Sequence, residues 1–281
     1  MRVTGSSSAI LLASGLVCAH AQWLHYPTPG TPRTRDGKAD LSAPTPHASN
    51  GKPDLSGVWQ VEPVPGEVEH LLGNNDYTAV PGDDPRTFSK YFFDILADFK
   101  RDEEPLKPEA VEPFRRRAAQ VAKGNTETYC LPIGIPRAEL FSVPFKIIQN
   151  PRQIVMIYEG DGTHRQVYTD GPKLPDDMQP AWLGYSTGKW EAGALVVETA
   201  GFNDKTTLDS FGHPRSESTR MTERLRRRDF GHMEVQITID DPQNYTRAFT
   251  IQFRTRLIPD TDVLEKICTE NERDVRHLGA Q

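Results

Sequence analysis

The sequence predicts an all-β-dominated fold, an antiparallel up-and-down β-barrel with a helical insertion after its first strand. Three observations carry this reading. From Phe145 onward apolar residues recur at every second position, the period of a half-buried strand. The segments with that period are separated by Asn150-Pro151, Asp161-Gly162, Ala192-Gly193 and Phe230-Gly231, which are hairpin and turn dipeptides. Between an early strand at Gly57 to Val61 and this long run, the apolar spacing lengthens to that of a helix.

The strands expected after the first are FKIIQ, QIVMIYE, HRQVYT, YSTGKWE, ALVVETA, STRMTERLRRR, HMEVQITID and RAFTIQFRTRLI. Nine antiparallel strands have two edges to hide, and a closed or nearly closed barrel hides them economically. In HMEVQITID, Met233, Val235, Ile237 and Ile239 share one face, while His232, Glu234, Gln236, Thr238 and Asp240 share the other. The strand before it sets Met221 and Leu225 against Arg220, Thr222, Arg224 and Arg226. The arginine-rich run is therefore read as the solvated face of a hairpin, with opposite charges paired across it. A nucleic-acid partner would call for a basic domain, and the chain carries a net charge of −6 with its signs interspersed.

The domain boundaries follow from composition. Residues 1–21 read as a signal peptide: Arg2, an apolar run from Ala9 to Cys18, and Ala19-His20-Ala21 as the cleavage site. That run is shorter than the roughly 20 residues of a membrane span, and no later segment is apolar enough to span, so a periplasmic or secreted protein is expected. Residues 22–53 form a Pro- and Gly-rich extended arm. The arm holds a degenerate repeat, DGKADLSAP from Asp36 and NGKPDLSGV from Asn50. Because the second copy alone runs on into a strand, the first is expected to lie on the surface as a duplicate. Residues 54–281 then make a single barrel domain with its helical insertion at about 86–123. Arg86 to Lys100 sets Phe88, Tyr91, Phe92, Ile95, Leu96 and Phe99 on one helical face, and Pro108 to Lys123 opens on a first-turn proline. Of three cysteines, Cys18 leaves with the signal, and Cys130 and Cys268 are expected to pair in an oxidising compartment.

Hairpin connections alternate between the two ends of an up-and-down sheet. On that rule the tight connections at 160–163, 191–193 and 229–231 share one end, and those at 150–153, 170–184, 201–218 and 241–246 share the other. The long-loop rim is the expected site. It carries His213, Glu217, Asp204 and Asp170 as candidates for acid–base work, and Trp182, Tyr185, Trp190 and Tyr168 are the candidates for ligand contact in the barrel or at that rim. Gly184 to Gly188 fits G-x-S-x-G around Ser186, but the residues that follow read as a hairpin, where a nucleophile elbow needs a helix. No metal-ligand spacing and no dinucleotide or phosphate fingerprint occurs, so neither metal nor cofactor is expected. The leading expectation is a protein that binds a small, partly apolar ligand in the barrel or at its rim. The alternative is a hydrolase, lyase or isomerase acting on a saccharide or other small substrate through carboxylates and His213. A third is a structural or interaction protein of the envelope, reaching a partner with its arm.

Two resemblances add to this. Gly57-Val58-Trp59 resembles the G-x-W of lipocalins, which implies a lipocalin-like barrel whose floor is closed by Trp59 against an arginine near the last strand, Arg254 or Arg256. The chain departs from that pattern in the long helical segment between its first and second strands. The doubled DGKxDLS arm, YCLPxGxP at Tyr129, GYSTGKWEAGALVVETAGFND at Gly184, TERLRRRDFGHMEVQITIDDP at Thr222 and the C-terminal CTENERD resemble a family of exported bacterial proteins of unassigned function. That resemblance implies export and adds no reaction.

Overall fold

Alternating apolar and polar residues fold into nine strands that close into one barrel in chain order. These are β1 Gly57–Val61, β2 Phe145–Gln149, β3 Gln153–Tyr158, β4 His164–Tyr168, β5 Tyr185–Glu191, β6 Ala194–Ala200, β7 Arg220–Arg227, β8 His232–Asp240 and β9 Phe249–Leu257. The structure is a computed structural model and describes residues 26–68, 71, 87–119, 126–171 and 173–268. The residues read as a signal peptide, the first arm residues and all of CTENERD beyond Cys268 lie outside those residues. The ring closes where β9 pairs with β1, Trp59 standing opposite Leu257.

Eight of the nine neighbouring pairs are antiparallel, and β4 and β5 are parallel. Parity requires this: an odd number of strands cannot alternate direction all the way round a closed ring. The expectation of a wholly antiparallel barrel is corrected on this point, and the sorting of loops changes with it. The β4–β5 connection, 169–184, starts at one end of the barrel and finishes at the other, so the strands before it are counted from the opposite end. The tight end carries 150–152, 192–193 and 228–231. The loop end carries the β1–β2 insertion, 159–163, 201–219 and 241–248.

Inside, Phe145, Ile147, Ile154, Met156, Val167, Leu195, Val197, Met221, Leu225, Val235, Ile237 and Ile251 form one buried core. A barrel of this strand number is just wide enough to be filled by side chains. A ligand in the lumen would have to displace that core. Trp59 is fully buried near the tight end, and its indole Nε1 donates to Leu55 O at 2.9 Å. The guanidinium over its ring belongs to Arg227, 4.9 Å from the centroid. Arg227 also donates to the carbonyls of Asp54, Ser56, Asp229 and Phe230. Arg254 and Arg256 are not the partner, because Phe253, Thr255 and Leu257 take the inward positions of β9. Arg254 pairs outside with Glu62 at 3.3 Å, and Arg256 donates to Gln60 Oε1.

The arm folds back on the tight end, and both copies of its repeat make the same turn. In the first, Thr34 N donates to Lys38 O, Gly37 N to Thr34 O and Asp40 N to Pro32 O; in the second, Ala48 N donates to Lys52 O, Gly51 N to Ala48 O and Asp54 N to Pro46 O. The first copy is no idle duplicate. Gly231 N and Phe230 N donate to Leu41 O and Ala43 O, both at 2.7 Å, and a Cβ on Gly231 would stand 2.4 Å from Leu41 Cβ. Glycine is needed there for the close approach of two backbones. Arg33 holds the arm at its far side through Asp260, 2.7 Å from Nη1.

In the insertion, α1 covers Lys90–Phe93, α2 Pro108–Ala118 and α3 Arg137–Leu140, with a 3-10 turn at Thr126–Tyr129. The long helix expected over Arg86 to Lys100 is thus a single turn. Phe88, Tyr91, Phe92, Ile95 and Leu96 are buried as the stripe requires, but Asp94 is extended and ends the helix. The next amides find other acceptors, Ile95 N on Asp209 Oδ2 at 2.6 Å and Leu96 N on Asp94 Oδ1 at 2.9 Å. α2 ends at Ala118, and Val121 lies outside the described residues. All four residues of α3 are buried, and Glu139 reaches Tyr158 and Arg165 on the barrel wall, so α3 plugs the loop end. After β9 the tail climbs the outside of β2 and β3, held by Lys146 on Asp262 at 2.6 Å and by Leu264 N on Glu159 Oε2 at 2.9 Å. Cys268, the last described residue, is joined to Cys130 by a disulfide.

Candidate functional site

The one parallel seam is also the weakest. β4 and β5 register through two residue pairs, Val167 with Ser186 and Tyr168 with Thr187, whereas β7 and β8 register along the whole of β7. Above those pairs the strands part, and the connection that had to travel the height of the barrel covers the gap. The result is a cleft of about 450 Å³ lined by His164, Arg165, Gln166 and Tyr168 from β4, Tyr185, Ser186 and Thr187 from β5, and Lys173, Leu174, Pro175, Leu183 and Gly184 from the connection. Gly184 has φ +65°, and a Cβ there would meet Ala200 O at 2.7 Å. A side chain at that point would push the connection off β6 and open the cleft.

A buried polar cluster forms the floor of the cleft. Arg165 and Ser186 are 3% and 6% exposed, and behind them Thr199, Glu223, Glu139 and Tyr158 are buried at 2% or less. Arg165 spends its donors on all of them but Tyr158. Nε donates to Ser186 Oγ at 2.9 Å, Nη1 to Glu139 Oε1 at 3.1 Å and Glu223 Oε1 at 3.0 Å, and Nη2 to Thr199 Oγ1 at 2.7 Å and to Glu223 Oε2. Tyr158 OH donates to Glu139 Oε1 at 2.8 Å. Two carboxylates converging on one Nη1 cannot both stay charged without cost. Burial first, and the charge of Glu223 second, push the Glu139 carboxyl up to about 8. The floor then holds one cation, one anion and one protonated acid, close to neutral as a whole.

The loop end holds a second cluster of titratable groups. His213 is 2% exposed, its Nδ1 bonded to Asp209 Oδ2 and 3.8 Å from Asp94 Oδ1. Its ring stacks on Phe114 of α2 at 4.1 Å between centroids. The ligand-type atoms of Asp94, Asp209 and His213 lie within 4.8 Å of one another. Asp209 is nevertheless saturated by protein donors, Oδ1 by Gly212 N and His213 N at 2.9 and 3.0 Å and Oδ2 by Ile95 N. These bonds make a clamp between the β6–β7 loop and the insertion. Desolvation pulls the His213 imidazolium down, but Asp209 and Asp94 outweigh it and the net shift is upward.

The two upward shifts set the expected pH dependence. A group that holds its proton more tightly folded than unfolded stabilises fully below its unfolded pKa, and that stability is lost as pH rises through the folded value. Glu139 therefore contributes below about 4.5 and loses its contribution on the way to about 8; His213 loses its own above 6.5. The carboxyls held below their ordinary range, such as Asp98 and Asp241, act in the acid range beneath 3.8. Urea midpoints are expected to fall from pH 5.5 to pH 8.5, and to fall less steeply in Glu139→Gln. A midpoint that rises over this range would contradict both assignments.

The sequence-predicted residues do not gather into one site. His213 lies in its clamp. Glu217 is exposed beside a separate hollow of about 220 Å³, with Asp176 and Arg220. Asp204 borders another of about 100 Å³ with Arg117 and Lys205, and Asp170 pairs with Arg152 at 2.8 Å toward the tight end. Of the aromatic candidates, Tyr168 and Tyr185 line the cleft. Trp182 contributes its carbonyl to Arg215 at 3.2 Å, and Trp190 packs against the core. Arg165, Glu223 and Glu139 were missed. For the first two the signal was present: they share strand parity with Val167 and with Met221 and Leu225. Ser186 follows no nucleophile elbow, since it lies within β5 and a hairpin into β6 comes next. Comparison of the chain with protein-family models, with curated proteins and with solved structures found no match.

Proposed function

We propose that the protein binds a small, partly apolar molecule in the cleft between β4 and β5. The observation that carries this is a cleft of about 450 Å³ built into the barrel wall, with apolar sides and a hydrogen-bonded polar floor. Such a volume falls within the roughly 300–1,000 Å³ of small-molecule sites, whose walls are mostly apolar with a few fixed polar groups. Tyr168, Tyr185, Leu174, Pro175 and Leu183 supply the sides; Ser186 and Arg165 supply the floor. Binding is favoured over turnover by the state of the floor. Among the described residues Ser186 Oγ bonds to Arg165 and Thr199 and to no general base, while both glutamates are engaged behind Arg165. Export, as residues 1–21 are read, would place this binding outside the cytoplasm.

Leu183→Trp adds bulk to one side of the cleft at a residue that also packs against the core, and tests the reading. Native mass spectrometry of protein purified without denaturation is expected to find an added mass on the wild type that Leu183→Trp loses, with the variant's far-ultraviolet dichroism and urea midpoint kept. An adduct retained equally by both would move the ligand out of this cleft.

A further inference from the structure

We infer that the ligand of the β4–β5 cleft is a small apolar carboxylate, one oxygen of which accepts the Ser186 hydroxyl proton. This rests on the proposed binding role of the cleft and adds the chemical class of its ligand.

Charge is the first argument. The chain has 39 acidic residues against 33 lysines and arginines, yet the described residues lining the cleft include Arg165, Lys173 and His164 and no aspartate or glutamate. Arg165 is already matched by Glu223 across the floor. Lys173 is exposed, and among the described residues no carboxylate pairs with it. Among the described residues the cleft therefore presents one unmatched cation to whatever enters, at its solvent-facing mouth, where it favours an anion.

Proton counting is the second argument. Ser186 Oγ and Thr199 Oγ1 stand 3.0 Å apart, and either could donate to the other. Each also accepts from Arg165, at 2.9 and 2.7 Å. One contact between two hydroxyls uses one hydroxyl proton, so the other must go elsewhere. If Ser186 donates to Thr199, the stranded proton is that of Thr199, which is 1% exposed inside the barrel. If Thr199 donates to Ser186, the remaining proton is that of Ser186, which borders the cleft. A buried donor without an acceptor is left with its desolvation cost unrepaid, so the second arrangement is the stable one. Ser186 then offers a fixed O–H to the cleft while its lone pairs are occupied, which selects an acceptor oxygen and rejects a donor.

The test uses three probes on one skeleton, 4-phenylbutyrate, 4-phenylbutanamide and 4-phenylbutylamine, titrated calorimetrically into the full-length mature chain. The acid is expected to bind at least tenfold more tightly than the amide, and the amine more weakly than either. Lys173→Gln should remove most of the acid's advantage over the amide, whereas Ser186→Ala should weaken acid and amide alike. An amide or amine that binds as tightly as the acid would overturn the carboxylate assignment and leave the cleft as a neutral binding site. Acid binding that is indifferent to both Ser186→Ala and Leu183→Trp, or no binding by any probe, would overturn the cleft reading itself.

Discussion

Arg165→Met is expected to destabilise the fold by on the order of 3–5 kcal/mol, the cost of breaking a buried ion pair from one side. Methionine keeps much of the arginine stem, so the loss isolates the guanidinium. Five hydrogen bonds go with it, and Glu223 is left charged beside Glu139 at 1% and 2% exposure. The variant can answer by taking up a proton on Glu223. Its deficit should then be smaller at pH 5 than at pH 8, because a carboxyl that holds its proton more tightly folded than unfolded stabilises most at low pH. Adding Glu139→Gln and Glu223→Gln in the Arg165→Met background should recover part of the loss, since an uncharged cluster carries less desolvation cost than an unmatched anion. Urea unfolding followed by far- and near-ultraviolet dichroism measures both effects. A loss below about 1 kcal/mol is the value of an exposed pair, and would mean that water from the cleft solvates the cluster.

That cluster also shows how much of the site was legible from the sequence. The strand segments were recoverable because HRQVY, HMEVQITID and FTIQFRTRL keep a period of two and QIVMIY and ALVVETA are short apolar runs, and the hairpin dipeptides fall where the strands turn. The same alternation already placed Glu223 between Met221 and Leu225, and Arg165 two residues before Val167, on the inward face. Assigning charged residues to the solvent face by their chemistry hid this; parity alone would have exposed it. Arg227 repeats the case, as the inward residue two beyond Leu225, and is the guanidinium that meets Trp59. Other features had no local signal. The parallel β4–β5 pair follows from closing an odd-numbered ring, a property of the whole barrel, and it alone moves 150–152 to the tight end and opens the cleft. The clamp of His213 depends on Asp94 and Phe114 from the insertion, far away in the chain. The Arg86 to Lys100 stripe packed as a stripe must, but Asp209 satisfied Ile95 N from outside and released the backbone from the helix.

Cys130→Ala with Cys268→Ala is expected to cost about 5 kcal/mol at the upper bound, from the chain-entropy relation for a loop of this length. The residues bridged are 138 apart in sequence, so the bond shortens the longest excursion that most of the barrel can make when unfolded. Strands β2 to β9 lie inside this loop. The native side of the balance should change little. The tail is held independently by Lys146 on Asp262 and by Leu264 N on Glu159, and the residues after Cys130 are held by Ile133 N on Asp161 Oδ2 at 2.9 Å. The loss should therefore act through the unfolded state. The urea midpoint should fall and the m-value should rise, because the uncrosslinked chain exposes more surface on unfolding. Wild-type protein unfolded in the presence of a reductant should match the double variant. If the midpoint and m-value are the same with and without reductant, the two thiols are not joined in solution, and the tail is fastened by non-covalent contacts such as those of Asp262, Leu264 and Lys266.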